Sequence, residues 1–188
     1  MTGATVDANG AGGPIRMPRP HPAMLEVDEL LKACIMGKSR SQGPGGQNRN
    51  KVETHVTMTH TPTGIEGQAG ERRSSIENRA MAVRRLRLAL ALQVRTPVPL
   101  GEVRSSLWLK RCPAAGAGRI SCSPDHADFP AMIAEALDVI DASVFDVRRA
   151  SLRLGCTFSQ LVKLLKAHPP ALVLVNAERA ARGEHGIK

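Results

Sequence analysis

A chain of 188 residues can bury one core of moderate size or two small ones. Only 2% of it is aromatic and tyrosine is absent, so the core must be aliphatic, and the scarcity argues against a sheet that stacks bases on aromatic rings. A net charge of +9 and a pI near 10.1 point to a polyanionic partner or an anionic membrane.

Met1–Pro22 is rich in Gly, Ala and Pro and lacks periodicity, which predicts a disordered tail over residues 1–22. In Glu26–Met36 the residues Val27, Leu30, Leu31 and Cys34 recur at helical spacing, predicting a short amphipathic helix. It leads into Gly43-Pro44-Gly45-Gly46-Gln47-Asn48-Arg49-Asn50-Lys51. Three glycines and a proline in four positions can continue neither a helix nor a ladder, and they free the backbone for conformations closed to other residues. One glutamine stands at the tip, flanked by Arg40, Arg49 and Lys51. Glutamine is neither base nor nucleophile, so the chemistry it offers is positioning: amides aimed at an oxyanion or a water beside a phosphate-rich partner.

Val52, Thr54, Val56 and Met58 then alternate with Glu53, His55 and Thr57, the period of a half-buried strand. Thr61-Pro62-Thr63-Gly64 supplies a turn, and Ile65–Ala69 returns as a second strand. Ser74-x-x-Glu77 opens a helix as a capping box, with Ile76, Ala80, Val83, Leu86, Leu90 and Val94 as its apolar stripe. Arg79, Arg84, Arg85 and Arg87 lie partly off that stripe; they read either as a solvated face or as phosphate contacts. Pro97 and Pro99 end this helix and mark a boundary.

Leu100–Arg119 shows little pattern beyond a short helix around Trp108, which would anchor the connector to a neighbouring domain. Asp128 caps a helix with Pro130 in its first turn, running to about Ala142 with Met132, Ile133, Ala136, Leu137 and Ile140 inward. Ser143-x-x-Asp146 and Thr157-x-x-Gln160 are two further capping boxes, predicting helices over 144–154 and 158–168 around a Leu154-Gly155-Cys156 turn. Ser151, Gly155, Leu161 and Leu164 fit a helix-turn-helix, on which Lys163 and Lys166 are candidate nucleic-acid contacts and Gln160 a cap. A last helix over 171–182 would cover this unit. The predicted class is α+β: a small β-hairpin or sheet plus helix carrying a projecting loop (23–96), a linker (97–124) and an all-α helix-turn-helix-like module (125–188).

Residues 38–95 carry 11 basic and 4 acidic side chains, so the excess charge is concentrated in the segment bearing Gly-Gly-Gln. That segment resembles the catalytic domain of class I peptide-chain release factors and of the smaller codon-independent ribosome-rescue factors. The match lies in Gly45-Gly46-Gln47, Asn50-Lys51, Thr59-His60-x-Pro62-Thr63-Gly64-Ile65, and Arg73-Ser74 followed by Asn78-Arg79. Two departures stand out: Arg49 replaces a usually small apolar residue, and Gly67–Arg72 keeps only part of the family's polar run.

The resemblance implies a ribosome-dependent peptidyl-tRNA hydrolase, an enzyme cleaving a carboxylic ester in the peptidyl-transferase centre. Gly45, Gly46 and Gln47 would be catalytic, the Gln47 N–H stabilising the oxyanion or the leaving hydroxyl while its side chain shapes the water pocket. Arg40, Arg49, Lys51, Arg73, Arg79, Arg84, Arg85, Arg87, Lys163 and Lys166 would contact RNA. The partners implied are large-subunit ribosomal RNA and peptidyl-tRNA, engaged by a cytoplasmic monomer. About forty residues precede the loop, too few for stop-codon-reading domains, and no decoding tripeptide is recognisable. Glu178–Lys188 is nearly charge-balanced, so a basic channel-sensing tail is not expected.

Rival readings are a non-catalytic RNA- or DNA-binding regulator working through the helix-turn-helix, and a stand-alone hydrolase, which lacks a visible acid–base pair. His55 and His60 fall on opposite faces of one strand and are not such a pair. Cys112, Cys122 and His126 match no common zinc spacing, and with the cysteines at 34, 112, 122 and 156 forming no Cys-x-x-Cys, idle thiols in a reducing cytosol are expected, with no metal and no cofactor. No apolar run approaches the ~18 residues of a membrane span, and no signal sequence is visible.

Overall fold

The structure, a computed structural model, describes residues 13–40, 53–100, 103–113 and 118–188. It is α+β: a small antiparallel sheet with helices, followed by an all-helical C-terminal region. Residues 1–12 of the expected tail lie outside the described residues, but 13–22 are part of the fold. Strand β1 (Ile15–Arg16) pairs in parallel with β5 (Val94–Arg95), and His21, Pro22 and Ala23 are buried. A Gly- and Pro-rich stretch has no periodicity to display, so only its distant pairing partner reveals it.

Helix α1 (Val27–Lys32) stops short of Met36, and Cys34–Ser39 forms strand β2. The apolar positions at 30, 31 and 34 fit both arrangements. Antiparallel pairing with β3 (His55–His60), from Cys34↔His60 to Ser39↔His55, decides between them. On β3 the residues Val56, Met58 and His60 are buried, in the predicted phase, with Val52 outside the described residues. Strand β4 (Ile65–Ala69) follows the predicted turn and completes a sheet of order β2-β3-β4.

Helix α2 (Ser75–Gln93) covers β3 and β4. Its closest approach is at Gly67, where a Cβ would stand 2.3 Å from both the Ala82 carbonyl oxygen and the Leu86 nitrogen, so the helix backbone rests directly on the strand. Ser74 caps α2 by accepting from the Glu77 N–H (3.4 Å). The predicted apolar stripe holds for Val83, Leu86, Leu90 and Val94 but not for Ile76 and Ala80, which are exposed. The buried row begins instead with Asn78 and Ala82. The helix ends before the two prolines, because Val94 and Arg95 are drawn into β5, where the Arg95 guanidinium donates to the Ala91 (2.8 Å) and Leu92 (3.1 Å) carbonyls.

In the second half, α3 (Ser106–Arg111) carries the fully buried Trp108, whose indole N–H donates to Leu154 O (2.8 Å). Every residue of α4 (Phe129–Ala142) from Phe129 to Ile140 is buried, which makes it the central helix. Asp128 stands at its N-cap position without capping it; the carboxylate accepts from Arg111 instead (2.9 and 2.6 Å). Ser143 ends α4 rather than opening a capping box, and Asp146 itself caps α5 (Val147–Arg153) through the Arg148 and Arg149 N–H groups (3.0 Å each). Gly155, at φ 64°, makes the tight turn to α6 (Phe158–Lys166). Thr157 caps α6, but Gln160 does not reciprocate: its Oε1 accepts from Ile120 N–H (3.3 Å). Helix α7 (Pro169–Ala181) closes the unit. Leu86, Leu90 and Val94 from the first half share one continuous buried cluster with Met132, Ile133 and Leu137 from the second. No helix among the described residues is long and apolar enough to cross a membrane.

Two buried ionisable groups flank the β5 seam. Asp138 accepts from the Thr96 N–H (3.0 Å) and hydroxyl, yet burial pushes its carboxyl up to about 6. His21 accepts from Ala23 N–H at Nδ1 (3.0 Å) and donates from Nε2 to Val94 O (3.2 Å), and burial pushes it down to about 4. Their linkages oppose each other. Asp138 binds its proton more tightly when folded, so its contribution is present at low pH and is lost as pH rises from about 4 to 6. His21 binds its proton less tightly when folded, so its contribution is present above about 6.5 and is lost as pH falls toward 4. Each amounts to roughly 3 kcal/mol across the window. Relative to the parent, D138N is expected to gain stability from pH 4 to 6.5 and H21N to lose it, read by denaturant titration at stepped pH. Parallel profiles for all three proteins would refute the offset.

Candidate functional site

The predicted catalytic residues Gly45, Gly46 and Gln47, with Arg49 and Lys51, lie outside the described residues; the two stems that carry them do not. The loop leaves the sheet after β2 and returns into β3, and its last described rung is Ser39↔His55, where the Ser39 hydroxyl and His55 Nδ1 are hydrogen-bonded at 3.1 Å. The His55 ring packs over Gly70, at the end of β4.

The returning stem has a second fastening. Asn78, in the first turn of α2, is completely buried, and its Nδ2 donates to both Thr54 O (2.6 Å) and Arg72 O (2.9 Å). Its Oδ1 accepts from Arg72 N–H (3.0 Å). One side-chain amide thus joins the loop stem to the β4–α2 connection, the segment bearing Arg72 and Arg73. The sequence reading placed Asn78 within a motif but gave it no role. The available signal was a polar residue at a helical position flanked by charged neighbours, which reads as surface until the sheet is in place.

His60 is buried on the helix-facing side of β3, its Nδ1 hydrogen-bonded to the Thr63 hydroxyl (2.8 Å), and burial holds its pKa below the ordinary value. His55 is on the opposite side of the strand, in keeping with the alternating burial of β3. His60 therefore serves the turn. Cys112 is buried beside Gly155, and His126 faces Arg111 and the Asp128 N–H; no group of three metal-ligating side chains gathers among the described residues.

The ten predicted RNA contacts separate into distinct sets. Arg40, Arg73 and Arg79 are exposed, and their guanidinium groups have no partner among the described residues. Lys38 and Arg72, which the sequence reading passed over, share this condition and sit beside the two stems. Arg84, Arg85 and Arg87 make contacts within the protein. Arg84 donates to the Pro124 and Asp125 carbonyls (3.0 Å to the latter). Arg85 is paired with Glu71 (2.6 Å) and donates to Gln68 O (2.7 Å). Arg87 is buried, donating to Ala23 O (3.1 and 2.9 Å) and Ala127 O (3.0 Å). The reason is the shifted helix face: Arg87 falls one turn from Val83 and one turn from Ala91, both buried, so it staples the N-terminal segment to α2. Lys163 and Lys166 are exposed on α6 and have no ion pair among the described residues.

The described residues form two paired stems that flank the Gly-Gly-Gln segment in the sequence, a polar clamp on the returning stem, and exposed cations beside them that have no ion pair among the described residues. Such an arrangement can present a backbone amide to a partner whose phosphates the cations hold.

Comparison with known proteins bears on the same segment. Residues 30–98 match the RF-1 domain. The chain is 35% identical over 99 residues to peptide chain release factor 1 of Nocardioides sp., covering 51% of this chain and 27% of that protein. It is 51% identical over 66 residues to peptide chain release factor 1 of Chloroherpeton thalassium (35% of this chain, 18% of that protein). It is 50% identical over 56 residues to peptide chain release factor 2 of Beutenbergia cavernae (29% and 15%). The chain thus spans about a quarter or less of the length of these relatives. No solved structure shows significant similarity to the chain. Residues 30–98, from the last turns of α1 through the hairpin and α2 to the segment after β5, belong to the RF-1 domain family, the Gly-Gly-Gln domain of class I peptide chain release factors.

Proposed function

We propose that this protein hydrolyses the ester of peptidyl-tRNA on the ribosome and does so without reading a stop codon. The observation that carries the reading is the position of Gly45-Gly46-Gln47 between the paired strands β2 and β3 of an RF-1 domain. In this reading the Gln47 N–H faces the oxyanion or leaving ribose hydroxyl, its side chain shapes the water site, and Gly45 and Gly46 let the backbone approach the tRNA end. Lys38, Arg40, Arg49, Lys51, Arg72, Arg73 and Arg79 meet ribosomal RNA around the stem. One pre-aimed donor supplies roughly 3–4 kcal/mol of transition-state stabilisation. Ribosomal RNA supplies the rest, so the isolated protein leaves free esters nearly untouched.

Codon independence is supported by what packs on the RF-1 domain here: the helices α3–α7, whose buried side chains share its core. In this reading they serve as the docking element. The factor acts as a monomer in the cytoplasm on stalled ribosomes or detached large subunits. The test is peptide release from ribosome complexes programmed with mRNA that has no stop codon, beside complexes that have one. Similar rates are expected on both, and release confined to the stop-codon complexes would overturn the codon-independent reading.

A further inference from the structure

We infer that the α5–turn–α6 unit is a second RNA-binding site, distinct from the catalytic hairpin, that grips the phosphate backbone through Arg148, Arg149, Lys163 and Lys166. The inference rests on the ribosomal reading above for its setting, but its observations are separate. Residues 147–177 contain five Lys and Arg and no Asp or Glu, a run that includes α5, α6 and most of α7. Three other cations of the second half are paired internally: Arg111 with Asp128 (2.6 Å), Arg179 with Glu184 (2.7 Å) and Arg182 with Glu178 (2.6 Å). Arg148, Arg149, Lys163 and Lys166 are exposed and have no ion pair among the described residues.

Arg148 and Arg149 share the solvent side of α5 with Leu152, which is 78% exposed. The carboxylate closest in sequence, Asp146, accepts from the two backbone N–H groups that it caps. The Arg148 guanidinium lies 4.7 Å from the centroid of Phe158, the first residue of α6, and so is held in place across the turn. Adjacent like charges without counter-charges repel one another, and a polyanion removes that repulsion.

Sequence-specific duplex reading fits poorly. In a helix-turn-helix the first residues of the second helix meet base edges. Here Phe158 is covered by Arg148, and the Gln160 carbonyl is taken by Ile120 N–H. Backbone contact is what remains, and with it recognition of RNA by shape and phosphate position.

The geometry separates this site from the hairpin. Helix α4 runs in the same direction as α2, since Ala127 meets Arg87 and Asp138 meets Thr96. Its last turn reaches the β1–β5 seam, where Asp141 pairs with Arg16. Helix α5 therefore starts near the end of α2 opposite Asn78, ~24 Å away at 1.5 Å per residue. Two contacts on one rigid body at that spacing raise effective concentration at the second once the first is made.

The experiment uses the full chain and a fluorescent RNA hairpin of arbitrary sequence, with anisotropy read at stepped salt. R148A/R149A/K163A/K166A is expected to bind at least tenfold more weakly at low salt. The slope of log affinity against log salt should flatten by about 3. Circular dichroism and Tm check that the variant is folded, and R148K/R149K, which keeps the charges, should retain the slope. Unchanged affinity and slope in the folded quadruple variant would refute the site, as would a DNA duplex of particular sequence binding more than about 10³-fold tighter than the hairpin. Catalysis is not read in this assay. Loss of release in a residue-47 variant with unaltered hairpin binding leaves the two readings independently testable.

Discussion

Proline at position 47 is expected to slow peptide release on the ribosome by about 10²–10³-fold at saturating factor while leaving ribosome affinity within about twofold. The proline has no N–H, so the substitution deletes the one group proposed to face the developing charge and adds only a small ring at a tip already rich in glycine and proline. Alanine at the same position keeps that N–H and loses only the side-chain amide, so its effect should be the smaller of the two. The ranking is diagnostic. Were alanine to cost as much as proline, the side chain and not the backbone would be the working group. If either variant lost affinity in step with rate, Gln47 would be a docking residue, and the catalytic assignment would fall. The readout is single-turnover release of labelled peptide, with binding followed separately by co-sedimentation with ribosomes.

Removing the amide of Asn78 is expected to cost about 2–4 kcal/mol of stability, and roughly 5–15 °C in Tm. Three hydrogen bonds end on this side chain, and Asn78→Ala leaves Thr54 O, Arg72 O and Arg72 N–H to find water or nothing. Asn78→Asp separates packing from polarity. It is nearly isosteric and keeps the acceptor for Arg72 N–H, but it turns a carboxylate oxygen toward two carbonyl oxygens. It should therefore be no better than alanine, and worse where the carboxylate is ionised. Both variants should also slow release at temperatures where they remain folded, because the returning stem of the loop is no longer tied to α2. An N78D protein as stable and as active as the parent would show that the clamp has no mechanical role. Together with Gly67, where the α2 backbone meets the sheet without an intervening side chain, Asn78 defines how the hairpin is seated.

Much of this architecture could be read locally. Strands β3 and β4 were legible because Val56, Met58, Ile65 and Ala69 alternate with polar residues around a Pro-Thr-Gly turn. Helix α4 was legible from its apolar density, and the α5–α6 turn from Gly155, whose left-handed backbone demands a glycine. The errors share another cause. The first three residues of β2, 34–36, were read as the end of a helix because apolar positions at 30, 31 and 34 satisfy either period, and only the pairing with β3 removes the ambiguity. The segment from 13 to 22 has no pattern, since it is held by a two-residue parallel ladder, a buried histidine and a guanidinium from α2.

The divide is sharpest among the arginines. Charge is a property of the sequence, and so were the net excess in residues 38–95 and the glycine-rich tip with its single glutamine. Which cations face solvent is set by the rotation of α2 on the sheet. A small shift of the buried face places Arg87 inside and leaves Arg79 outside, although the two are eight residues apart on one helix. Sequence alone determined the chemistry on offer, because residue types and short-range periodicity are local. Tertiary structure decided where that chemistry points, because strand pairing, helix rotation and the closing of carbonyls by buried side chains depend on contacts between residues far apart in the chain.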